Sequence, residues 1–377
     1  MCWKMKLLFC IPSMCGGGAE RVMALVCNGL CARGHEVVLA TDTAVECFYL
    51  LDGRIRVVSL YPPFRERRSL PEKICYNLFR LYPRIRSVIR QERPDAVVSF
   101  LYILNPKVLL ASRFLNIPVV SCEHINFING RTWLKTVRRI WINRLADRVT
   151  VLTQRDADYL QGRLNRVTVM PNPVSFPVCA DVDTPRRKTV LAVGNLNASR
   201  RKGFPGLIEA WGRIAAKYPD WTLCIAGRGT PENRAVLESR IAASGAEMQI
   251  RLLGEVREMQ PLYRESALFV LSSENEGFPM ALVEAMSQGC ACVSFDIATG
   301  PREIIGGDDD GVLVPAGDFS ALAGALERLM SDEALRRSTG ARAAARMQRF
   351  SLPAVLDRWE SLLNEVVAEK GGKEVAG

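Results

Sequence analysis

Two glutamates eight positions apart, Glu276 and Glu284, stand in the stretch ENEGFPMALVEAM, directly after the apolar run ALFVLSS. A carboxylate only accepts hydrogen bonds, so one that meets two adjacent hydroxyls is a natural grip for a ribose or a sugar. Pro279 suits the first turn of a helix. That places Glu276 in the loop before the helix and Glu284 about a turn and a half inside it. The plainer reading is that both acids decorate a helix start, where the dipole favours negative charge; Glu274 is left to that reading. A second constellation is VGNLNASRRKGFPGLIEAW, in which Arg200, Arg201 and Lys202 precede Gly203 and a helix beginning near Pro205. Cations at a helix N-terminus oppose its dipole. Either they are simply solvated, or an anion joins them, and a diphosphate matches what arginine and lysine bind.

Two further positions carry chemistry. His124, in SCEHINF, follows an apolar strand and can donate to a phosphate or a hydroxyl; it can equally be a satisfied structural histidine. In IPSMCGGGAERVMALVCNGL three glycines, including Gly17 and Gly18, join a strand to a helix. Exposed N–H groups at such a turn favour an anion, although a turn with no ligand reads the same way. The spacing is not G-x-G-x-x-G, so dinucleotide binding is not indicated.

The elements that must position these residues alternate between short β-rich runs and helical patterns, the mark of βαβ units and parallel sheets. MKLLFCIP, HEVVLATD, IRVVSL, DAVVSF, IPVVSCEH and RVTVLT form one series of strands. KTVLAVGNL, WTLCIAGRG, MQIRLLG, SALFVLSS and CACVSFD form another. Between the series, residues 169–188 are rich in proline and charge and lack a helical period, as a connection does. The expected organisation is an N-terminal domain over 1–173, a C-terminal domain over 174–350, and a last segment over 351–377. Ligands of doubly wound domains sit outside the carboxyl ends of the strands. In the last segment, Leu356, Trp359, Leu362, Leu363 and Val366 recur at helical spacing, and KGGKEVAG reads as a frayed tail. His35, between a helix end and a strand start, lies at the edge away from the ligand ends and reads as structural.

Composition excludes several classes. With 48% apolar and 24% charged residues, the 377-residue chain is globular rather than disordered. No apolar run approaches the roughly 20 residues of a spanning helix, and the N-terminus reads as a first strand rather than a signal peptide. The twelve cysteines form no C-x-x-C pair, which argues for a reducing compartment and against a disulfide framework. Two histidines cannot build a His-rich metal site. Charge is asymmetric: residues 1–180 hold 26 Lys+Arg and 13 Asp+Glu, a net +13, and the remainder 24 and 27, a net −3. The first half should face something anionic, a membrane surface or nucleic acid.

The form EGFPMALVEAMSQGCACVSFD resembles the retaining glycosyltransferases of family 4, which have the GT-B fold: two Rossmann-like doubly wound domains facing across a cleft, with a C-terminal helix crossing back to the first. GGGAERV is similar to that family's first glycine turn, RKGFPGLIEAW to its K-G-x-x-x-L-I-x-A segment, IAGRG (with Gly227) to its G-x-G turn, and ATGPREIIGGDDDGVLVPAGD to the segment after the E-x7-E helix. The resemblance implies that Glu284 binds the ribose of a nucleotide-sugar, that Glu276 contacts the sugar, and that the N–H groups of Gly277, Phe278 and Met280 approach sugar or phosphate. It implies that Lys202 neutralises the diphosphate, with Arg201 beside it, and that His124 sits near the transferred sugar or phosphate. Asn195 stands where the family commonly has arginine, so Arg200 or Arg201 would take over its phosphate contact.

The implied reaction is transfer of a hexose or N-acetylhexosamine from a nucleotide-diphosphate sugar, a UDP-sugar being expected, with retained anomeric configuration. Leaving-group stabilisation dominates such chemistry, and no D-x-D metal site is convincing: DVD at 181–183 lies in the connection and DDD at 308–310 in an acidic loop. No cofactor or metal is expected. Aromatics beside cations, Trp133, Trp141, Arg138, Arg139 and Arg144 in RTWLKTVRRIWINRL and Phe64, Arg65, Arg67 and Arg68 in YPPFRERRSLPEK, suit an anionic membrane interface. An ordinary amphipathic helix gives the first stretch the same pattern. The expected acceptor is a lipid-linked glycan of surface polysaccharide assembly, met at the inner face of the plasma membrane, with no nucleic acid involved. A nucleotide-sugar epimerase of the same fold, or a basic nucleic-acid-binding protein, is the competing reading.

Overall fold

The structure is a computed structural model and describes residues 4–61, 72, 75–124, 127, 133–182, 184–307 and 309–375. The chain divides into two compact units, residues 1–175 with 352–377, and residues 176–351.

The first unit is built on a parallel sheet. Its elements run β1 Lys6–Cys10, α1 Gly18–Ala32, β2 Glu36–Thr41, β3 Arg56–Ser59, α2 Tyr82–Glu92, β4 Ala96–Phe100, α3 Asn105–Ala111, β5 Val119–Cys122, α4 Trp133–Asn143, β6 Arg148–Val151, α5 Gln154–Leu160 and β7 Val167–Val169. Spatial order is β3-β2-β1-β4-β5-β6-β7. The central strands are covered on both faces, so they are almost wholly apolar; Leu7, Leu8, Phe9, Val97 and Val98 have no exposed surface. Strand order reverses between β1 and β4, which makes their carboxyl ends the crevice of this unit.

The second unit repeats the scheme: β8 Arg187–Val193, α6 Phe204–Ile214, β9 Thr222–Ala226, α7 Pro231–Ala243, β10 Ile250–Gly254, α8 Met259–Glu265, β11 Ser266–Leu271, α9 Met280–Ser287, β12 Ala291–Asp296, α10 Pro301–Ile304, β13 Val312–Pro315, α11 Phe319–Ser331 and α12 Glu333–Met347. The sheet order is β10-β9-β8-β11-β12-β13, all parallel, with the reversal between β8 and β11. Its core gathers Trp211, Trp221, Leu223, Leu268 and Val293.

The last helix, α13 Leu352–Val375, belongs to the first unit. Leu356, Trp359, Leu362, Leu363 and Val366 are all buried. Trp359 lies 6.3 Å from Phe9 and 6.2 Å from Phe100 between ring centroids. Arg33 donates to Asp357 and Glu360, and Glu360 also meets His35 at 3.0 Å. His35 is therefore a buried structural group, its Nδ1 accepting from the N–H of Met5. The helix continues to Val375, into the residues that the sequence marks as a frayed tail. Strands β7 and β13 are additions to the series read from sequence; each is an edge strand of three or four residues, too short to show a period.

Candidate functional site

The second unit concentrates its chemistry where β8 and β11 end. After β8 the chain passes Gly194 and Asn195, makes a 3-10 turn over Leu196–Ala198, and enters α6 through Gly203. Gly203 has φ 70°, and a Cβ there would stand 1.9 Å from the carbonyl oxygen of Ser272. Only glycine fits, because the turn presses directly on the chain leaving β11. Ser272 Oγ donates to the carbonyl of Lys202 at 2.8 Å, and the N–H of Glu274 donates to the carbonyl of Arg201 at 2.9 Å. These bonds lock the two loops into one rim. Gly227, at the end of β9, is equally constrained: a Cβ would lie 1.8 Å from the carbonyl oxygen of Gly194.

On that rim Lys202 Nζ donates to Glu276 Oε1 at 2.6 Å, with side chains 18% and 17% exposed. A charged pair so little hydrated is held in place but still faces an opening, where a ligand anion can compete for the lysine. Thr299 Oγ1 donates to the carbonyl of Glu276 at 2.6 Å and fixes that loop from the α10 side. Glu284, the fifth residue of α9, is 3% exposed and accepts from Tyr263 Oη at 3.1 Å. Phe278 is buried against Phe350, with centroids 5.4 Å apart. Glu276, Gly277, Phe278, Met280, Glu284 and Lys202 therefore gather around one reversal point of one sheet.

Several sequence readings need correction here. Pro279 is the N-cap of α9, in extended conformation, and Met280 is its first residue. Asn195 is exposed, and its Oδ1 accepts from the N–H of Asn197 and caps the 3-10 turn. Arg200 and Arg201 are exposed beside it. Tyr263 and Thr299 escape sequence reasoning, because each acts through a tertiary contact with no local pattern.

In the first unit the crevice is lined differently. The N–H of Gly17 is taken by the carboxylate of Glu20, which Ser13 Oγ also approaches at 3.0 Å. That acid occupies the place at the α1 N-terminus where an anion is expected, so the N–H of Gly17 is already taken; around Gly18 a Cβ would meet nothing within 4 Å. His124 follows β5 and leans on Phe100 at the end of β4, with centroids 4.3 Å apart. The ring is half-buried, and its Nδ1 is shut off from solvent without a hydrogen-bond partner among the described residues. Burial pushes the imidazole pKa down to about 4, so the ring is neutral at pH 7.

Arg139 is not a surface cation. Its guanidinium donates to the buried carboxylate of Glu123 at 2.7 Å and lies 3.9 Å from the centroid of Phe127. A buried carboxylate needs its cation more than solvent does. Arg138 and Arg144 are exposed, and Arg144 stacks at 4.6 Å on Trp141, itself 63% exposed. Ile140, the residue before Trp141, is buried. Phe64, Arg65, Arg67 and Arg68, the side chain of Trp133, and Asp183 and Asp308 of the acidic triplets lie outside the described residues. Among the described residues no cluster of three or more His, Cys, Asp or Glu could hold a metal ion, and no helix is long and apolar enough to cross a membrane. Burial also pushes the thiols of Cys10 and Cys290 up to about 12, which leaves them inert.

Comparison with known proteins locates this arrangement. Residues 16–176 match the family model described as Glycosyltransferase Family 4, and residues 187–332 match the model Glycosyl transferases group 1. A Campylobacter jejuni protein named as a GalNAc-alpha-(1->4)-GalNAc-alpha-(1->3)-diNAcBac-PP-undecaprenol alpha-1,4-N-acetyl-D-galactosaminyltransferase is 28% identical over 96% of this chain and 99% of its own. The amylovoran biosynthesis glycosyltransferase AmsD of Erwinia amylovora is 28% identical over 95% and 99%. Among solved structures, Anabaena HepE in complex with UDP superposes with a TM-score of 0.77 at 19% identity, over 96% of this chain and all (100%) of that one.

Proposed function

The chain belongs to the family 4 glycosyltransferases and has their GT-B fold of two Rossmann-like domains, and from that premise we propose that it moves a hexose or N-acetylhexosamine from a UDP-sugar to a lipid-linked glycan, with retention at the anomeric carbon. The observation that carries the reading is the Lys202–Glu276 pair, held on a rigid rim one helix start away from the buried Glu284. A lysine whose counter-ion is a carboxylate can pass its charge to a diphosphate that enters beside it. In the reaction the bond between the anomeric carbon and the diphosphate oxygen breaks, the acceptor hydroxyl oxygen bonds to that carbon on the same face, and the hydroxyl proton passes to the departing phosphate oxygen. Lys202, with Arg201 beside it, stabilises the charge that develops on the leaving group, the preorganised electrostatic role that dominates such steps. Glu284, oriented by Tyr263, grips the ribose. Glu276 is released from Lys202 to meet the sugar, and His124 contacts the sugar as a neutral imidazole. No divalent ion is assigned to the reaction.

The acceptor assignment draws on the Campylobacter relative, whose name specifies an undecaprenol-linked glycan. Peripheral attachment to an anionic membrane, at its cytoplasmic face, is supported by the +13 of the first 180 residues and by exposed Trp141, Arg138 and Arg144 on α4. Incubating the protein with a panel of nucleotide-diphosphate sugars and a polyprenyl-diphosphate glycan tests the reading. An α-linked product from an α-linked donor, formed equally in EDTA, is expected; an inverted product, or transfer restored only by Mg²⁺ or Mn²⁺, would overturn it.

A further inference from the structure

We propose that Asp156 and Arg139 are positioning residues for His124, clamping the chain on both sides of it through one buried polar network. On the near side, the N–H of Glu123 donates to the carbonyl of Thr150 at 2.9 Å. The Glu123 carboxylate accepts from Arg139 at 2.7 Å and from Asn143 Nδ2 at 2.9 Å, and Asn143 Oδ1 accepts from Ser121 Oγ at 2.6 Å. On the far side, the N–H of Phe127 donates to Asp156 Oδ1 at 2.8 Å, while Asp156 Oδ2 accepts from Thr153 Oγ1 at 2.9 Å. The buried Phe127 ring lies under the Arg139 guanidinium. Arg139 thus touches both anchors, Glu123 and Phe127, four positions apart with His124 between them.

The cost of this network is the argument for its purpose. Glu123 and Asp156 are each 3% exposed, and among the described residues Arg139 is the cation paired with Glu123. Burying ions yields little net stability compared with apolar packing, but it fixes one geometry. The geometry fixed here is that of Glu123 and Phe127, on either side of His124, whose ring stands on Phe100, itself backed by Trp359. A functional side chain is useful only where such supporting contacts hold it. The inference rests on the proposed contact of His124 with the transferred sugar, but its first test does not.

That test is the imidazole titration of the full chain by NMR. The two histidines are distinguished by a His35→Gln variant. Wild-type His124 is expected to titrate near pH 4. In Asp156→Ala the segment loosens, water reaches the ring, and the midpoint rises by about one unit or more toward the ordinary value near 6.5. Asp156→Asn, whose Oδ1 still accepts from Phe127, restores it. Arg139→Lys, which keeps the charge beside Glu123 and removes the plane over Phe127, shifts the midpoint the same way and serves if Asp156→Ala does not fold. Midpoints unmoved in folded Asp156→Ala and Arg139→Lys would overturn the proposal. The second arm is a double-mutant cycle on transfer: Asp156→Ala lowers kcat about tenfold or more, and adds nothing to His124→Ala. Losses that multiply would overturn the clamp. A shifted midpoint with His124→Ala transferring at the wild-type rate would support the clamp and remove the sugar contact.

Discussion

Replacing Lys202 by methionine keeps the stem and deletes the charge. The structure separates two consequences. Nζ stands 2.6 Å from Glu276, and both side chains are less than one-fifth exposed. A hydrogen bond to a charged group at such a site contributes about 1.5–3 kcal/mol to stability. At about 2–4 °C per kcal/mol for a domain of this size, the melting temperature should fall by roughly 3–12 °C. Removing one preorganised stabiliser of a developing anion typically costs 10²–10³ in rate, or about 2.7–4 kcal/mol. Transfer by Lys202→Met should therefore drop by about that factor in kcat at saturating donor, under conditions where the variant is still folded. Lys202→Arg, which keeps the charge, should recover part of it. Steady-state transfer measured alongside a thermal melt separates the two effects. A Lys202→Met protein that transfers within about fivefold of wild type would refute the assignment of the leaving-group charge to this lysine, whatever its stability.

Two other outcomes follow from the same geometry. Tyr263→Phe preserves shape and removes the hydroxyl that Glu284 accepts from; a bond to a charged acceptor being worth about 1.5–3 kcal/mol, nucleotide affinity measured by calorimetry should weaken by roughly 10–150-fold, with the fold intact by circular dichroism. His124 has a folded pKa lowered to about 4, so between about pH 6.5 and 4 the unfolded chain binds a proton that the folded chain does not, and this contribution to stability is lost as pH falls through that window. Denaturant titrations should show wild type losing up to about 3 kcal/mol more than His124→Asn over those pH values, less where the partly exposed ring is screened.

The parallel sheets were legible because their central strands are buried on both faces and read as unbroken apolar runs, as in DAVVSF and SALFVLSS. Edge strands β7 and β13 lack that pressure on one side and left no usable signal. The E-x7-E pair and the Lys202 loop stood out because glycines and charges at strand ends have few structural reasons to be there. Tyr263 did not, since nothing in MQPLYRE says that its hydroxyl will meet a carboxylate 21 positions later. Arg139 was misplaced for a related reason: a helical wheel assigns a cation off the apolar stripe to solvent, and cannot see the buried Glu123 that waits 16 positions upstream. Gly17 likewise reads as an anion turn until Glu20 is found to fill it.

Binding of a nucleotide-sugar at Glu284 is the claim on which the rest depends. A thermal-shift panel of nucleotide-diphosphate sugars, run on wild type and Glu284→Ala, addresses it directly, because a ligand at 100 times its Kd stabilises the folded protein by about 2.7 kcal/mol. The account predicts a concentration-dependent rise in melting temperature for the donor with wild type and none with Glu284→Ala. An equal rise in both proteins would contradict it.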